Sequence, residues 1–471
     1  MKTITIDPVT RIEGHARVQL DVDDSGALKN ATLIVNELRG FERILVGMEA
    51  DRMPLVTARI CGVCPTAHHL AAVKAIENAL GIDPPPAAKR LRELLYMGHM
   101  IHSHALSLFV LAGPDLFFGM NGDAAQRNIV GIVKANPDVA GKALRLRSLG
   151  QKVNEIVGGR GIHPVTAIVG GMTFEMSGEA QKNLQKMVDE IYSLVMELMP
   201  VVKSLLEKFV AAQPSVPLAL TDATWYMGTV KNGKLNFYDG SVRVINESGE
   251  IQAEFSSPEY DKRIVEKALS WSYMKPVYAV SGGRENIYRV GTLARINCAD
   301  AMETPAAQEE LENFRRKFGR PCHATVQYLF ARLIELIYCA EKAKALLADP
   351  DIKGDKRVPV TYRAGRGVGH VEAPRGTLYH DYEIDAKGIV RSANLLVATQ
   401  QNYAAINTSI GQTAGLFIRD ASDDMLLNAV EFSMRCYDPC LSCATHAMGR
   451  MPLSVEVIQD GAITRRVRRT S

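Results

Sequence analysis

The sequence predicts an α+β fold, mainly helical, with a central bundle of long helices and small β-rich appendages. Three observations carry this. Apolar residues recur at helical spacing over three long stretches, 87–111, 178–212 and about 306–347. Shorter alternating stretches bounded by turn residues lie at the N-terminus and between the second and third of these helices. No internal repeat, low-complexity tract or linker divides the 471 residues, so the chain reads as one closely connected unit.

In chain order, residues 17–22 alternate, Asp23-Asp24-Ser25-Gly26 turn, and residues 31–35 return as a hairpin. A helix follows over 68–80, with Pro65 and Thr66 suited to its start and Gly81 to its stop. The helix over 178–212 is expected to be interrupted at Pro200, which lacks the amide proton and crowds the preceding turn. A β-rich insertion at about 215–260 follows. Its turns are Asn232-Gly233, Asp239-Gly240 and Ser248-Gly249, flanked by alternating Val242, Val244 and Phe255. Gly365-Arg366-Gly367-Val368-Gly369 reads as a loop. Strands are expected over 377–384 and 389–399, and a last helix over 423–436.

Composition excludes several functions. With 47% hydrophobic residues, 23% charged residues and a net charge of +3, the chain has no basic excess for a nucleic-acid groove or an acidic lipid surface. Apolar runs such as 108–112 and 395–398 are too short for membrane insertion, and the N-terminus carries no signal-peptide apolar region. A cytoplasmic location is the expectation. The eight cysteines are too few for a disulfide scaffold in a chain this long.

Four of those cysteines form two Cys-x-x-Cys pairs near opposite ends. Cys61 and Cys64 precede His68, and Cys440 and Cys443 precede His446. Only a folded core brings the four sulfurs together. Spacing alone suits a structural zinc site. Both pairs abut helices, however, and a cysteine at a helix N-terminus, as Cys64 would be, is favoured as thiolate. The histidines add polar groups that a closed four-sulfur zinc site does not need. Four soft thiolates equally suit nickel and iron, and catalysis needs open positions on the metal. The other cysteines, Cys298, Cys322, Cys339 and Cys436, are too dispersed to hold an iron–sulfur cluster. A redox centre here would therefore pass electrons to another polypeptide.

Arg59-Ile60-Cys61-Gly62-Val63-Cys64 with His68, and Asp438-Pro439-Cys440 with Cys443 and His446, resemble the paired signatures of the [NiFe]-hydrogenase large subunit. Arg11-Ile12-Glu13-Gly14-His15, Arg39-Gly40-Phe41-Glu42, His102-Ser103-His104 through Asp115, and Ala373-Pro374-Arg375-Gly376 follow in the family's order. The likeness spans essentially the whole chain. It implies the fold shared with the 49 kDa subunit of respiratory complex I, and the reaction H₂ ⇌ 2H⁺ + 2e⁻. It also implies a Ni–Fe(CN)₂(CO) centre, with Cys61 and Cys440 as terminal nickel ligands and Cys64 and Cys443 as bridges to iron. A terminal thiolate keeps a lone pair free, so Cys440 is the proposed proton acceptor. Glu13 matches the relay glutamate that carries the proton on.

By the same resemblance Arg375 lies above the open site and pairs with Asp115 and Asp438. Pro374, Val397, Ala398 and Thr399 surround the diatomic ligands, with Thr399 donating to a cyanide, and His68 hydrogen-bonds a bridging sulfur. Glu42, the backbone carbonyl of Leu395, and His446 form a second metal site for Mg²⁺ or Fe²⁺. The implied partners are an iron–sulfur small subunit, further diaphorase or electron-transfer subunits, and a maturation protease that cuts after His446. Residues 1–446 would then be a single domain and 447–471 a removable extension. The alternative is a C-terminal hairpin kept in the fold, from the strand-like stretch 453–458 and the Asp460-Gly461 turn. No strand–turn–helix G-x-G-x-x-G unit is placed, so a pyridine nucleotide would bind a partner. NAD(P)-linked and heterodisulfide-reductase-linked types are the two expected subgroups. Two rivals share the architecture. An H₂-sensing regulator uses the same centre, and the quinone-reductase subunit of complex I lacks the four cysteines that are present here.

Overall fold

The computed structural model describes residues 2–35, 40–212, 221–441, 453–459 and 462–469. Four long helices form its centre. Pro86–Ala105 packs against Pro137–Gly158 and Gln327–Ala348, and both of these pack against Gly178–Ala212. The last of these runs unbroken for 35 residues through Pro200. Its apolar face, Leu184, Val188, Ile191, Val195, Leu198, Val202, Leu206 and Phe209, is buried along the whole length. Burial of eight such side chains outweighs the roughly 3 kcal/mol that an internal proline costs. The expected interruption is absent.

Two further boundaries differ from expectation. The stretch 306–347 is two helices, Pro305–Phe318 and Gln327–Ala348, separated by Gly319-Arg320-Pro321. Gly319 takes a left-handed φ of 80° at the first helix's end, and Pro321 cannot continue it. The helix Pro86–Ala105 passes into one wide π-turn, Leu106–Leu111. Together with Gly113–Phe118 this gives a run, Pro86–Phe118, long and apolar enough to cross a membrane by length and composition; 78% of its apolar 18-residue stretch is buried in the fold, as in a core helix.

The glycine-rich stretch expected as a loop is a strand, Gly365–Ala373. It pairs antiparallel with Gly376–Ile384, which pairs in turn with Val390–Leu396. The helix Pro65–Leu80 lies directly on this sheet. A Cβ at Gly367 or Gly369 would collide with the carbonyls of Ala75 or Ala71. The glycines and alanines therefore serve a close helix–strand approach.

A five-stranded antiparallel sheet closes the N-terminal side. Its order is Ala462–Arg469, Leu453–Gln459, Lys2–Ile6, Arg17–Val22 and Leu28–Ile34. The C-terminal hairpin thus adds to the free edge of the first strand, with Thr3 opposite Ile458 and Ile4 opposite Val457. The β-rich insertion contains Trp225–Lys231, Ser241–Ile245 and Ile251–Phe255, and it extends further than expected, to Tyr288–Arg289. The helices Tyr403–Phe417 and Asp423–Tyr437 pack together and complete the core.

Candidate metal centre

Cys61 and Cys64 lie in the turn before the helix Pro65–Leu80, with Cys64 as its N-cap and Pro65 at the first helical position. The N–H groups of Val63 and Cys64 donate to the Cys61 sulfur at 3.3 and 3.2 Å. Cys440 follows the helix Asp423–Tyr437. There Asp438 takes a left-handed φ of 55°, ends the helix, and turns the chain back. The sulfurs of Cys61, Cys64 and Cys440 all lie within 4.8 Å of one another, and those of Cys61 and Cys440 are 3.2 Å apart. Cys443 and His446 lie outside the described residues. Within the cluster the Cys440 thiol is pushed well above its ordinary range by the Cys61 and Cys64 thiols and by burial. For Cys64 the Cys440 hydrogen bond favours the thiolate, but Cys61 and burial outweigh it and raise the thiol too. Crowded thiols of this kind exchange their protons for a bound cation.

Glu13 reaches the cluster through the backbone. Its N–H donates to the Pro439 carbonyl at 3.3 Å, and its carbonyl accepts from the Leu441 N–H at 2.8 Å. This one-residue parallel bridge sets the Glu13 carboxylate beside Cys440, whose thiol donates to Oε2 at 3.0 Å. Glu13 is buried. The segment before it is fastened by a knot that no sequence motif announces. Thr10 donates to Glu431, Arg435 donates to the Thr10 carbonyl, and Arg11 grips Asp115 at 2.6 and 2.9 Å.

The pairing of Arg375 with Asp115 is not formed. Asp115 is enclosed by Arg11, Arg435 and Arg127; burial works against its charge, but these cations outweigh it and hold the carboxyl below the usual range. Among the described residues Arg375 pairs with Asp438 alone, its Nε donating to the carbonyl at 2.6 Å and its Nη2 to Oδ1 at 3.0 Å. Burial again opposes the charge, and Asp438 with the cysteines raises the guanidinium above its ordinary value. Asp438 is also 3.5 Å from Arg332, which donates to the Ser107 hydroxyl at 2.6 Å. Nothing local in the sequence marks Arg332 or Ser107, because their partner lies on a distant element.

A small cavity opens against the sulfurs, lined by Cys64, Cys440, His68, Pro374, Arg375, Val397, Ala398 and Thr399. The Thr399 oxygen accepts from the Cys440 N–H at 3.0 Å, which leaves its proton for another acceptor. Arg375 Nη1 is buried without a partner among the described residues. His68 Nδ1 is 3.0 Å from His380 Nε2, and His380 Nδ1 is 2.6 Å from the Tyr382 hydroxyl, a chain that no local signal in the sequence marks. His69 points away and meets the Pro54 carbonyl. Glu42 lies in the short helix Phe41–Leu45, which packs on the strand carrying Leu395. The donor set fits a soft-metal group with small polar ligands: sulfurs on one wall, and a spare guanidinium N–H and hydroxyl proton on the other. A larger surface cleft, with Arg90, Lys231 and Lys342 on its walls, lies away from the cysteines.

The family model described as nickel-dependent hydrogenase matches residues 39–126 and 220–446, and one described as HoxL-like matches residues 3–38. The vhu F420-non-reducing hydrogenase of Methanococcus voltae has a subunit 44% identical over 422 residues, covering 89% of this chain and all of that one. The NAD-reducing hydrogenase HoxS subunit beta of Cupriavidus necator is 37% identical, covering 97% of each. A crystal structure of an NAD⁺-reducing [NiFe]-hydrogenase in the H₂-reduced state superposes with a TM-score of 0.89 at 36% identity, over 94% of this chain and 99% of that one. With these matches and the converging cysteines, the chain belongs to the nickel-dependent hydrogenase family, as its large, catalytic subunit.

Proposed function

We propose that this hydrogenase subunit uses Cys440 and Glu13 as the first two stations for the proton released from H₂. The contact that supports this is the 3.0 Å hydrogen bond from Cys440 Sγ to Glu13 Oε2, next to Cys61 and Cys64. The bound nickel–iron group, with one CO and two cyanides, supplies the site where H₂ is polarised and its two electrons are accepted. Cys61, Cys64 and Cys440, with Cys443 from outside the described residues, would hold that group. Cys440 takes the proton and Glu13 receives it, a carboxyl already within transfer distance. Arg375 is held by Asp438 through Nε and Nη2, with its Nη1 free for the reacting site. Pro374, Val397 and Ala398 give the diatomic ligands an apolar wall, while Thr399 and His68 supply polar contacts.

Glu42, the Leu395 carbonyl and His446 hold Mg²⁺ or Fe²⁺ in this reading, a hard-cation site with oxygen donors and one imidazole. Electrons leave through an iron–sulfur small subunit. Cys298, Cys322, Cys339 and Cys436 are each buried and free, and among the described residues Cys61, Cys64 and Cys440 form the one metal-competent cysteine group. The similarity to F420-non-reducing and NAD-reducing hydrogenases supports an NAD-linked or F420-independent electron acceptor reached through further subunits. In this reading the reaction takes place in the cytoplasm. A protease trims the chain after His446 once the metals are loaded.

Nickel and iron analysis with infrared spectroscopy of the purified protein tests the assignment. The expected result is about one nickel per chain together with CO and CN stretching bands. A protein free of nickel and of these bands overturns it.

A further inference from the structure

The turn that carries Pro374 and Arg375 hangs from one buried guanidinium. Arg295 sits in the helix Thr292–Cys298 and is enclosed. Each of its five N–H groups has an acceptor. Nε and Nη2 donate to the two oxygens of Glu335, both at 2.7 Å. Nη2 also donates to the Pro374 carbonyl at 3.3 Å. Nη1 serves Glu372 at 3.0 Å and the Ala373 carbonyl at 2.9 Å. Both carboxylates are held in turn. His104 meets Glu335 at 2.9 Å, while Thr229 and Thr377 donate to Glu372.

The same helix presses its start against the turn. A Cβ at Gly291 would stand 2.9 Å from the Arg375 carbonyl, and one at Gly376 would collide with Val290. Both glycines have positive φ, 100° and 136°. The tip of the hairpin is therefore trapped between the backbone of residues 290–291 and the Arg295 fork. A buried ion cluster is weak support for stability, since apolar packing of equal volume does as well. What a planar fork with five donors adds is geometry.

We propose that Arg295 is a positioning residue for hydrogen turnover, setting the height and orientation of Pro374 and Arg375 over the cysteine cavity. This rests on the reading that these two residues face the reacting site. A lysine at 295 brings a single point charge with three donors. It reaches one carboxylate and leaves the two carbonyls unheld.

The test compares Arg295→Lys and Glu372→Gln with the wild type, each purified as the complex with its partner subunits. Nickel content is expected to be normal, and the CO and CN bands displaced and broadened. H₂ turnover falls by about tenfold or more in Arg295→Lys, with KM for H₂ little changed, as misplacement of a reacting-site group requires. Glu372→Gln keeps its threonine contacts, weakens the pull on Arg295, and shifts the same bands less. A wild type without diatomic bands defeats the functional reading itself. Bands present in the wild type but unmoved in nickel-loaded Arg295→Lys overturn the positioning role. If Arg295→Lys does not accumulate, Glu372→Gln decides by the same bands, and wild-type positions there overturn it equally.

Discussion

Cys440 and Glu13 are 427 positions apart, yet two backbone hydrogen bonds between Glu13 and the 439–441 segment leave the carboxylate little choice of place. Glu13→Gln keeps the shape and removes the carboxyl proposed to carry the proton. Turnover is expected to fall about 10²-fold or more with the infrared bands unmoved; activity within about a factor of two would remove Glu13 from the path. Arg375→Lys loses the two-point grip on Asp438, and a loss of about 10²-fold in kcat is expected, measured by H₂ uptake on nickel-normalised protein. The cysteines, Glu13 and Arg375 are legible in the sequence because each sits in a short motif with few alternatives. Asp115 departs from expectation for a physical reason. A carboxylate's partner is whichever cation folding delivers, and here three arginines reach Asp115 from other segments.

The least legible element is the glycine strand Gly365–Ala373, since glycine ordinarily weakens a strand and marks a turn. Its helix partner explains it. Gly367→Ala places a methyl against the Ala75 carbonyl and is expected to cost about 1–3 kcal/mol in urea unfolding. The control is Gly141→Ala, where a Cβ meets nothing within 4 Å; it should be neutral or slightly stabilising. The C-terminal hairpin poses a different question. Its alternation and Asp-Gly turn are plain in the sequence, and it pairs with the first strand, so it is both an addition to the sheet and a candidate for removal. Intact mass of active enzyme decides. A mature chain ending at His446 is expected, and one ending at Ser471 rejects processing.

At the scale of the whole molecule, six of the ten histidines among the described residues are buried. Burial lowers His69, His102 and His104 to about 4, from an ordinary value of 6.5. All three are neutral in the fold. As pH falls from about 6.5 towards 4 the unfolded chain takes up their protons while the folded one does not, so stability declines through that window. The full slope is about 1.4 kcal/mol per pH unit for each histidine. Urea midpoints at about pH 7.5 and 5.0 check this, and equal midpoints would contradict it.

Local chemistry set what the sequence determined by itself: helical spacing predicted the bundle, and the cysteine pairs with their flanking motifs carried the resemblance to the family. Those signals act over a few residues, within reach of one turn or one strand. The tertiary structure decided which charges meet. Asp438 rather than Asp115 holds Arg375, and Arg295 carries the turn above the cavity. It also kept the 178–212 helix unbroken through Pro200 and made a strand of the glycine stretch. Ion pairs and close packing join segments hundreds of residues apart, so their partners exist only once the core has formed.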